Sequence, residues 1–595
     1  MIIAGIYSYN NPIDTKQIAQ VQSIIAKEVV GQPQILCDKN LFLLAGTVAK
    51  RGNKDSILIS ENRLLAGKVY SRTNTTIFSK ANLMQMRRGD DACRELLDNY
   101  WGTYIYVEYD ATENKLIILG DFSQQISIFY CQGPDNTIIF ASSMKALCSI
   151  LGNTPSFNWD YLNTFLLHGN LLTESTPFTA VSEIAPGYIL TISPKETKIC
   201  QYWDPTRYIN SGNSDYFESN VLNVMSNVMQ CSISQAEAIA LDFSGGLDSS
   251  ILLSSIKELA SKHQTIIPIN MSYKALNASD ETIYARSIAQ KHNLNLTELD
   301  QSEYLPFSPT SKLSFIPDKP SVVFANLKRE QSFIQPTAGY SNCVYLNGHG
   351  GDSIFMAVAL EESLVDYLLQ HGITGLHAKI HDMAVYRRTS IVLLYKYLFS
   401  KLTRHMFKYK TAQAQPHFNT PWLNKNMRQY HVNKMLHPCL KNKSGLLPGK
   451  KIHLEDTFAT IASVNVNMRE ANNAIIYPFL TQPMIELSLN LPTYETLKLN
   501  YSRYPLRKIV DAHYNSPHFW RQSKGEYSGA LSLGIKNNFA HILELCMDGV
   551  FAKSGFIERD LFQKNLRDII NGDPTYQWTL MHLVSLEMYL EYWRR

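Results

Sequence analysis

Over roughly the first third of the chain, apolar and polar positions change places every few residues. Met1 to Tyr7, Leu41 to Leu44, Ile57 to Ile59, Tyr104 to Tyr109, Leu116 to Leu119, Ile126 to Tyr130 and Thr137 to Phe140 are apolar or alternating runs. Gly, Asn, Asp or Lys set them apart, and Tyr188 to Ile192 follows the turn Pro186-Gly187. Such runs predict short strands. Helical windows are few: Thr15 to Glu28, Asp91 to Tyr100, Met144 to Leu151 and Asp160 to Leu167. A mostly antiparallel α+β domain over residues 1–205 fits this order.

The pattern changes after the Trp203-Asp204-Pro205 corner. A polar stretch from Thr206 to Tyr216 marks the expected boundary, and residues 206–595 form the second expected domain. There the chain reads β-α-β. Ala238 to Phe243 is a buried strand, Ser249 to Leu259 a helix, Thr265 to Met271 a strand and Asp280 to His292 a helix. Asn295 to Leu299 and Cys343 to Asn347 are further strands. Short apolar strands alternating with helices predict a parallel sheet with covered faces. From Ser353 on, the chain is largely helical. The expected fold class is thus α/β, an α+β amino-terminal domain joined to a parallel-sheet domain with a helical carboxyl-terminal part.

Composition adds limits. The 595 residues are too many for one hydrophobic core, so two or three domains are expected. With 45% apolar and 18% charged residues this is ordinary globular composition. A net charge of +4 is too small for this length to imply nucleic acid. The nine cysteines are scattered, with no CxxC pair and no zinc-site spacing, which suits free thiols in a reducing, cytoplasmic setting. The first residues lack the basic segment of an export signal. The most apolar internal stretch, Ser390 to Ser400, is interrupted by Lys396 and is too short to span a membrane.

The chemistry begins where the first parallel strand empties into Ser244-Gly245-Gly246-Leu247-Asp248-Ser249. Paired glycines let the chain turn sharply and present successive N–H groups to an anion, and the following helix adds its positive end. Asp248 is ill placed beside phosphates unless a divalent cation lies between, which makes it a magnesium ligand. The residues alone fit a plain capped turn equally well. As a word, however, SGGLDS resembles the pyrophosphate loop of the N-type ATP pyrophosphatases. A second turn, Gly348-His349-Gly350-Gly351-Asp352-Ser353, follows the strand ending at Asn347. If it faces the first, Asp248 and Asp352 share one Mg²⁺.

Together the two turns resemble the asparagine-synthetase superfamily, whose second turn reads like SEGExDE. This chain matches at Gly348, Gly350 and Asp352 and departs at Asn347, His349 and Ser353. The resemblance implies ATP as cosubstrate and a nucleotide site formed by Leu241, Ser244, Gly245, Gly246, Leu247, Asp248, Ser249, Met271, Gly348, Gly350 and Gly351. His349 stands where relatives carry a residue serving the acceptor amine. A histidine there is suited to accept the amine's proton, or simply to hydrogen-bond the loop. Tyr504-Pro505-Leu506-Arg507 and Arg521-Gln522-Ser523-Lys524-Gly525 resemble the superfamily's carboxyl-terminal basic block. By that likeness Lys524 reaches the α-phosphate and developing oxyanion, supported by Arg507 and Arg521. Tyr477-Pro478-Phe479-Leu480 resembles its R-x-P-F-L-D segment with Ile476 and Thr481 substituted. Asp280-Glu281 with Ala285 and Ala289 matches a DE…A…A pattern.

The amino-terminal domain resembles the superfamily's glutamine amidotransferase (Ntn) half. Ala66-Gly67-Lys68-Val69-Tyr70, Gly120-Asp121, Ile128-Phe129-Tyr130 and Phe140 to Leu147 follow its signatures. Its chemistry is missing, because Ile2 stands where the nucleophilic cysteine belongs and Ala66 and Lys68 replace residues that hold glutamine. Without ammonia from that half, the nucleophile is expected on the substrate. The degenerate half, the GHGGD turn and the YPLR segment look most like the lasso-peptide macrolactam synthetases. This implies adenylation of an Asp or Glu side chain of a precursor peptide, then attack by its N-terminal amine. Implied partners are that peptide, a leader peptidase and a leader-binding protein. An asparagine synthetase using free ammonia and a β-lactam synthetase are the alternatives.

Overall fold

The computed structural model describes residues 1–48, 56–122, 125–170, 172–209, 214–272, 280–309, 317–406, 420–424, 437–441, 445–464, 475–523, 525 and 527–594. Two six-stranded antiparallel sheets make up the amino-terminal part. The strand Ile2–Ser8 lies inside the first, pairing with Leu41–Gly46 and Thr137–Ala141. Arg63–Ser71 and Tyr100–Asp110 pair along their length in the second. Period-2 side-chain alternation explains the layering. Ile3 and Tyr7 point into a core shared with Leu64, Val107 and Ile118 of the second sheet. Ile2, Ala4 and Ile6 belong to a different core, which includes Val21, Ile25, Leu147 and Phe165 from the helices Thr15–Ala26, Met144–Leu151 and Trp159–His168. Short helices Lys80–Gln85 and Asp90–Asn99 cover the far face of the second sheet through Leu83, Ala92 and Leu96.

The expected strands are present, the sixth as Phe129–Gln132 rather than Ile126 to Tyr130. Gln34–Asp38, Arg63–Ser71 and Thr197–Gln201 are additional. Arg63–Ser71 carries Ala66 and Lys68, which therefore lie on an interior strand of the second sheet.

The carboxyl-terminal part is built on a five-stranded parallel sheet in the order Thr297–Asp300, Thr265–Ser272, Ala238–Asp242, Cys343–Asn347, Ile475–Ile476. Strand order reverses between Ala238–Asp242 and Cys343–Asn347, and ligands of open α/β sheets bind in the crevice at such a reversal. The last, two-residue strand and the helix Asp215–Ile233 are unanticipated. That helix buries Phe217, Val221, Met225 and Val228, one stripe at helical spacing. Part of the expected boundary stretch, 210–213, lies outside the described residues.

The two parts share cores and buried polar contacts. Phe458 of the carboxyl-terminal part lies 6.3 Å from both Phe122 and Trp203 of the amino-terminal part, ring centroid to ring centroid. The Trp203 indole N–H donates to Glu486, which also receives Arg72 at 2.6 Å. Lys319 pairs with Glu183 at 2.7 Å, both buried. The long helix Gln577–Arg594 packs its Leu580, Leu583 and Leu586 into the core that holds Ile2. All nine cysteines are free thiols. Among the described residues no helix is long and apolar enough to cross a membrane.

Candidate active site

Both turns sit at the carboxyl ends of adjacent strands. Asp242 and Asn347 are register partners there, and the Asn347 amide donates to Asp242 Oδ2 at 3.1 Å. Arg329 reaches the same oxygen at 3.2 Å and pairs with Glu330, whose carboxyl is pushed up by burial.

The first turn needs glycine where it bends. Gly245 has φ +75°, and a Cβ there would come within 2.7 Å of the Ala285 nitrogen. The small face of helix Thr282–Lys291, expected from Ala285 and Ala289, is therefore the floor under this turn; both residues are fully buried. Ser244 Oγ accepts the Gly246 N–H at 3.2 Å and lies 3.2 Å from Ser249 Oγ. The helix Leu247–Leu259 starts directly after Gly246.

The second turn presses on the first. A Cβ on Gly351 would strike the Asp248 carboxylate, so a side chain at 351 is excluded by the acid. The expectation that the turns face each other is met. Their acids converge on one point: Arg503 Nη1 stands 2.9 Å from both Asp248 oxygens and 3.0 Å from Asp352 Oδ1. Two carboxylates within reach of a single cation suit a hard divalent ion, which takes oxygen ligands. No cluster of three or more metal-binding side chains occurs among the described residues. Phosphate oxygens and water would have to complete the coordination, as is usual for Mg²⁺.

Arg503 was not foreseen, and Arg507 is placed differently from expectation. Arg507 turns away from the glycine turns and donates to the carbonyls of Ser502, Phe519 and Arg521. Burial, with the Arg503 charge nearby, lowers its guanidinium to about 10. Arg521 lies under the first turn: it donates to the Gly245 carbonyl at 3.3 Å, pairs with Glu281 and stacks 3.6 Å over Tyr284. It braces the cradle from below. Lys524 lies outside the described residues. Leu241 and Met271 are buried in the sheet.

His349 is exposed at the rim. Its N–H is fixed by the Asn347 side chain at 2.7 Å, and its Nε2 lies 3.0 Å from Ser463 Oγ. Ser463 comes from the helix Pro448–Val464, which also gives Thr460 to Ser353 at 2.6 Å and His453 to the Ile354 carbonyl at 2.8 Å. Three contacts from one helix thus hold the second turn. Neither Ser463 nor its neighbours carry a motif, so local spacing offered no signal for them.

Residues 227–595 match the family described as asparagine synthase, and residues 83–203 match the glutamine amidotransferase domain. The chain is 21% identical over 445 residues to the Microcin J25-processing protein McjC of Escherichia coli, covering 72% of this chain and 74% of that protein. Among solved structures it is similar to glutamine phosphoribosylpyrophosphate amidotransferase from B. subtilis, at 14% identity over 60% of this chain and 77% of that one, TM-score 0.23. It is similar also to NH3-dependent NAD synthetase from Campylobacter jejuni, at 15% identity over 33% of this chain and 97% of that one, TM-score 0.18.

Proposed function

The chain belongs to the asparagine synthase family, whose chemistry is ATP-dependent amide ligation, and we propose that it closes a lactam within a peptide. In this reading ATP activates an Asp or Glu side chain as the acyl-adenylate, and the peptide's own N-terminal amine displaces AMP. The observation that carries the activation step is the convergence of Asp248 and Asp352 on one cation position at the sheet's switch point. Peptide as substrate rests on the likeness to a microcin-processing protein and on the degenerate amidotransferase half. A precursor peptide, a leader peptidase and a leader-binding protein are the partners this entails.

Asp248 and Asp352 would hold Mg²⁺, which neutralises pyrophosphate charge as the α–β bond breaks. The N–H groups of the first turn and Ser244 and Ser249 cradle the phosphates. Arg521 keeps the turn in shape from beneath. Lys524 stabilises charge on the α-phosphate and on the tetrahedral oxyanion. His349 takes the amine's proton. Ser463 Oγ, 3.0 Å from its Nε2, helps to orient the ring. Holding carboxylate and amine of one peptide in one cleft replaces a bimolecular encounter with an intramolecular one.

The test is product analysis with a leader-free precursor peptide and ATP. Macrolactam, AMP and pyrophosphate are expected in equal amounts. Asparagine from aspartate and ammonia, or a β-lactam from a small β-amino acid, would replace this reading with one of its rivals. Asp248→Asn and Asp352→Asn should each lower turnover about 100-fold, the scale of removing one main electrostatic clamp. ADP as product refutes adenylation.

A further inference from the structure

The position between Asp248 and Asp352 is filled by a cation that belongs to the protein. Arg503 is buried, with 7% of its surface exposed, and its Nη1 touches both carboxylates. Its backbone is left-handed, φ +55°, at the junction of the hairpin Leu497–Lys498/Tyr501–Ser502 and the helix Tyr504–Tyr514. Non-glycine residues take that conformation at a cost and keep it where surroundings enforce it. The side chain so placed pairs with two acids far back in the chain, Asp248 and Asp352. Arg507, one turn further on, is tied to backbone carbonyls and leaves the acids to Arg503.

We propose that Arg503 is a tethered placeholder that makes divalent-cation binding conditional on phosphate. The inference rests on the reading of Asp248 and Asp352 as metal ligands. A divalent ion arriving alone must displace the guanidinium and then tolerate it as a like-charged neighbour. An ion arriving with pyrophosphate brings oxygens that accept the planar fork of Arg503 bidentately. Arg503 then moves from carboxylate to phosphate, and the acids are released to the ion. The device keeps two converging carboxylates neutralised between turnovers and couples metal to nucleotide. The hairpin bearing Arg503 also touches the basic loop, since Gln522 donates to the Asn500 carbonyl at 3.0 Å.

The experiment uses Mn²⁺ as probe, with free ion measured by electron paramagnetic resonance, on the full chain without ATP. Arg503→Met should bind Mn²⁺ alone at least about 10-fold more tightly than wild type, because apparent affinity falls with the fraction of competent sites. Added inorganic pyrophosphate should sharpen Mn²⁺ binding strongly in wild type and much less in the variant. Unchanged or weaker Mn²⁺ binding in a folded Arg503→Met overturns the placeholder. Should that variant not fold, wild type decides: saturating Mn²⁺ should speed phenylglyoxal labelling of Arg503 relative to Arg507, and an unchanged ratio overturns the proposal. Wild type that ignores Mn²⁺ even with pyrophosphate sinks the metal reading itself, a separate result.

Discussion

Ser463 Oγ lies 3.0 Å from His349 Nε2 and 2.7 Å from the Thr460 carbonyl, tying the rim histidine to the helix Pro448–Val464. His349→Ala should slow ring closure about 100-fold, the usual contribution of a positioned base. Pyrophosphate exchange into ATP should survive. Ser463→Ala should slow closure about 5-fold, matching one ordinary hydrogen bond of ~1 kcal/mol. Exchange and cyclised product are measured separately; parallel loss of both in His349→Ala removes the base assignment.

Glutamine should not be a nitrogen source. Ile2 is 1% exposed within a paired strand, and Ala66 and Lys68 occupy a strand of the other sheet. No glutamate should be released from glutamine, with or without ATP and peptide. Ile2→Cys should not restore release, since Ala66 and Lys68 still lack the groups that bind the amide. Glutamate detected by coupled assay above the heat-killed control would contradict this.

Glu486 is buried between the two parts, meeting Arg72 and the Trp203 indole. Removing one member of a buried pair leaves its partner uncompensated, at about 3–5 kcal/mol. Glu486→Ala should lower thermal stability by several degrees. Loss should be smaller in the double variant with Arg72→Met, because the stranded cation is gone. Additive losses in that cycle would mean the pair is not coupled.

Lys450 should tilt the pH dependence of stability. It is buried, donating to the carbonyls of Leu489 and Leu491 at 3.1 and 2.7 Å, and burial pulls its ammonium down to about 7 despite nearby Asp366. The unfolded chain therefore binds more protons between pH 7 and about 10.4. Stability should rise with pH across that window, by at most ~1.4 kcal/mol per unit. Below pH 7 the penalty is present in full. Lys450→Met should flatten the rise in denaturant melts at pH 7, 8 and 9; an equal slope in both proteins refutes it.

The parallel strands and both glycine turns were legible because their signals are local. An apolar run, then paired glycines, then a helix start lie within a dozen residues. Arg503 was illegible for the opposite reason. It sits beside the YPLR segment, where the family likeness pointed to Arg507, and only tertiary folding brings it to Asp248 and Asp352. Ser463 and Thr460 likewise matter through what the helix Pro448–Val464 touches. The strand Ile475–Ile476 is too short to carry a period, whereas the helix Asp215–Ile233 had a readable stripe obscured by its polar lead-in.

The amino-terminal sheet has one more consequence. Ile2, Ala4 and Ile6 share a core with Leu531, Ile535, Leu580, Leu583 and Leu586 of the carboxyl-terminal helices. Removing residues 1–205 would therefore strip one wall from the carboxyl-terminal core and expose a broad apolar face to water.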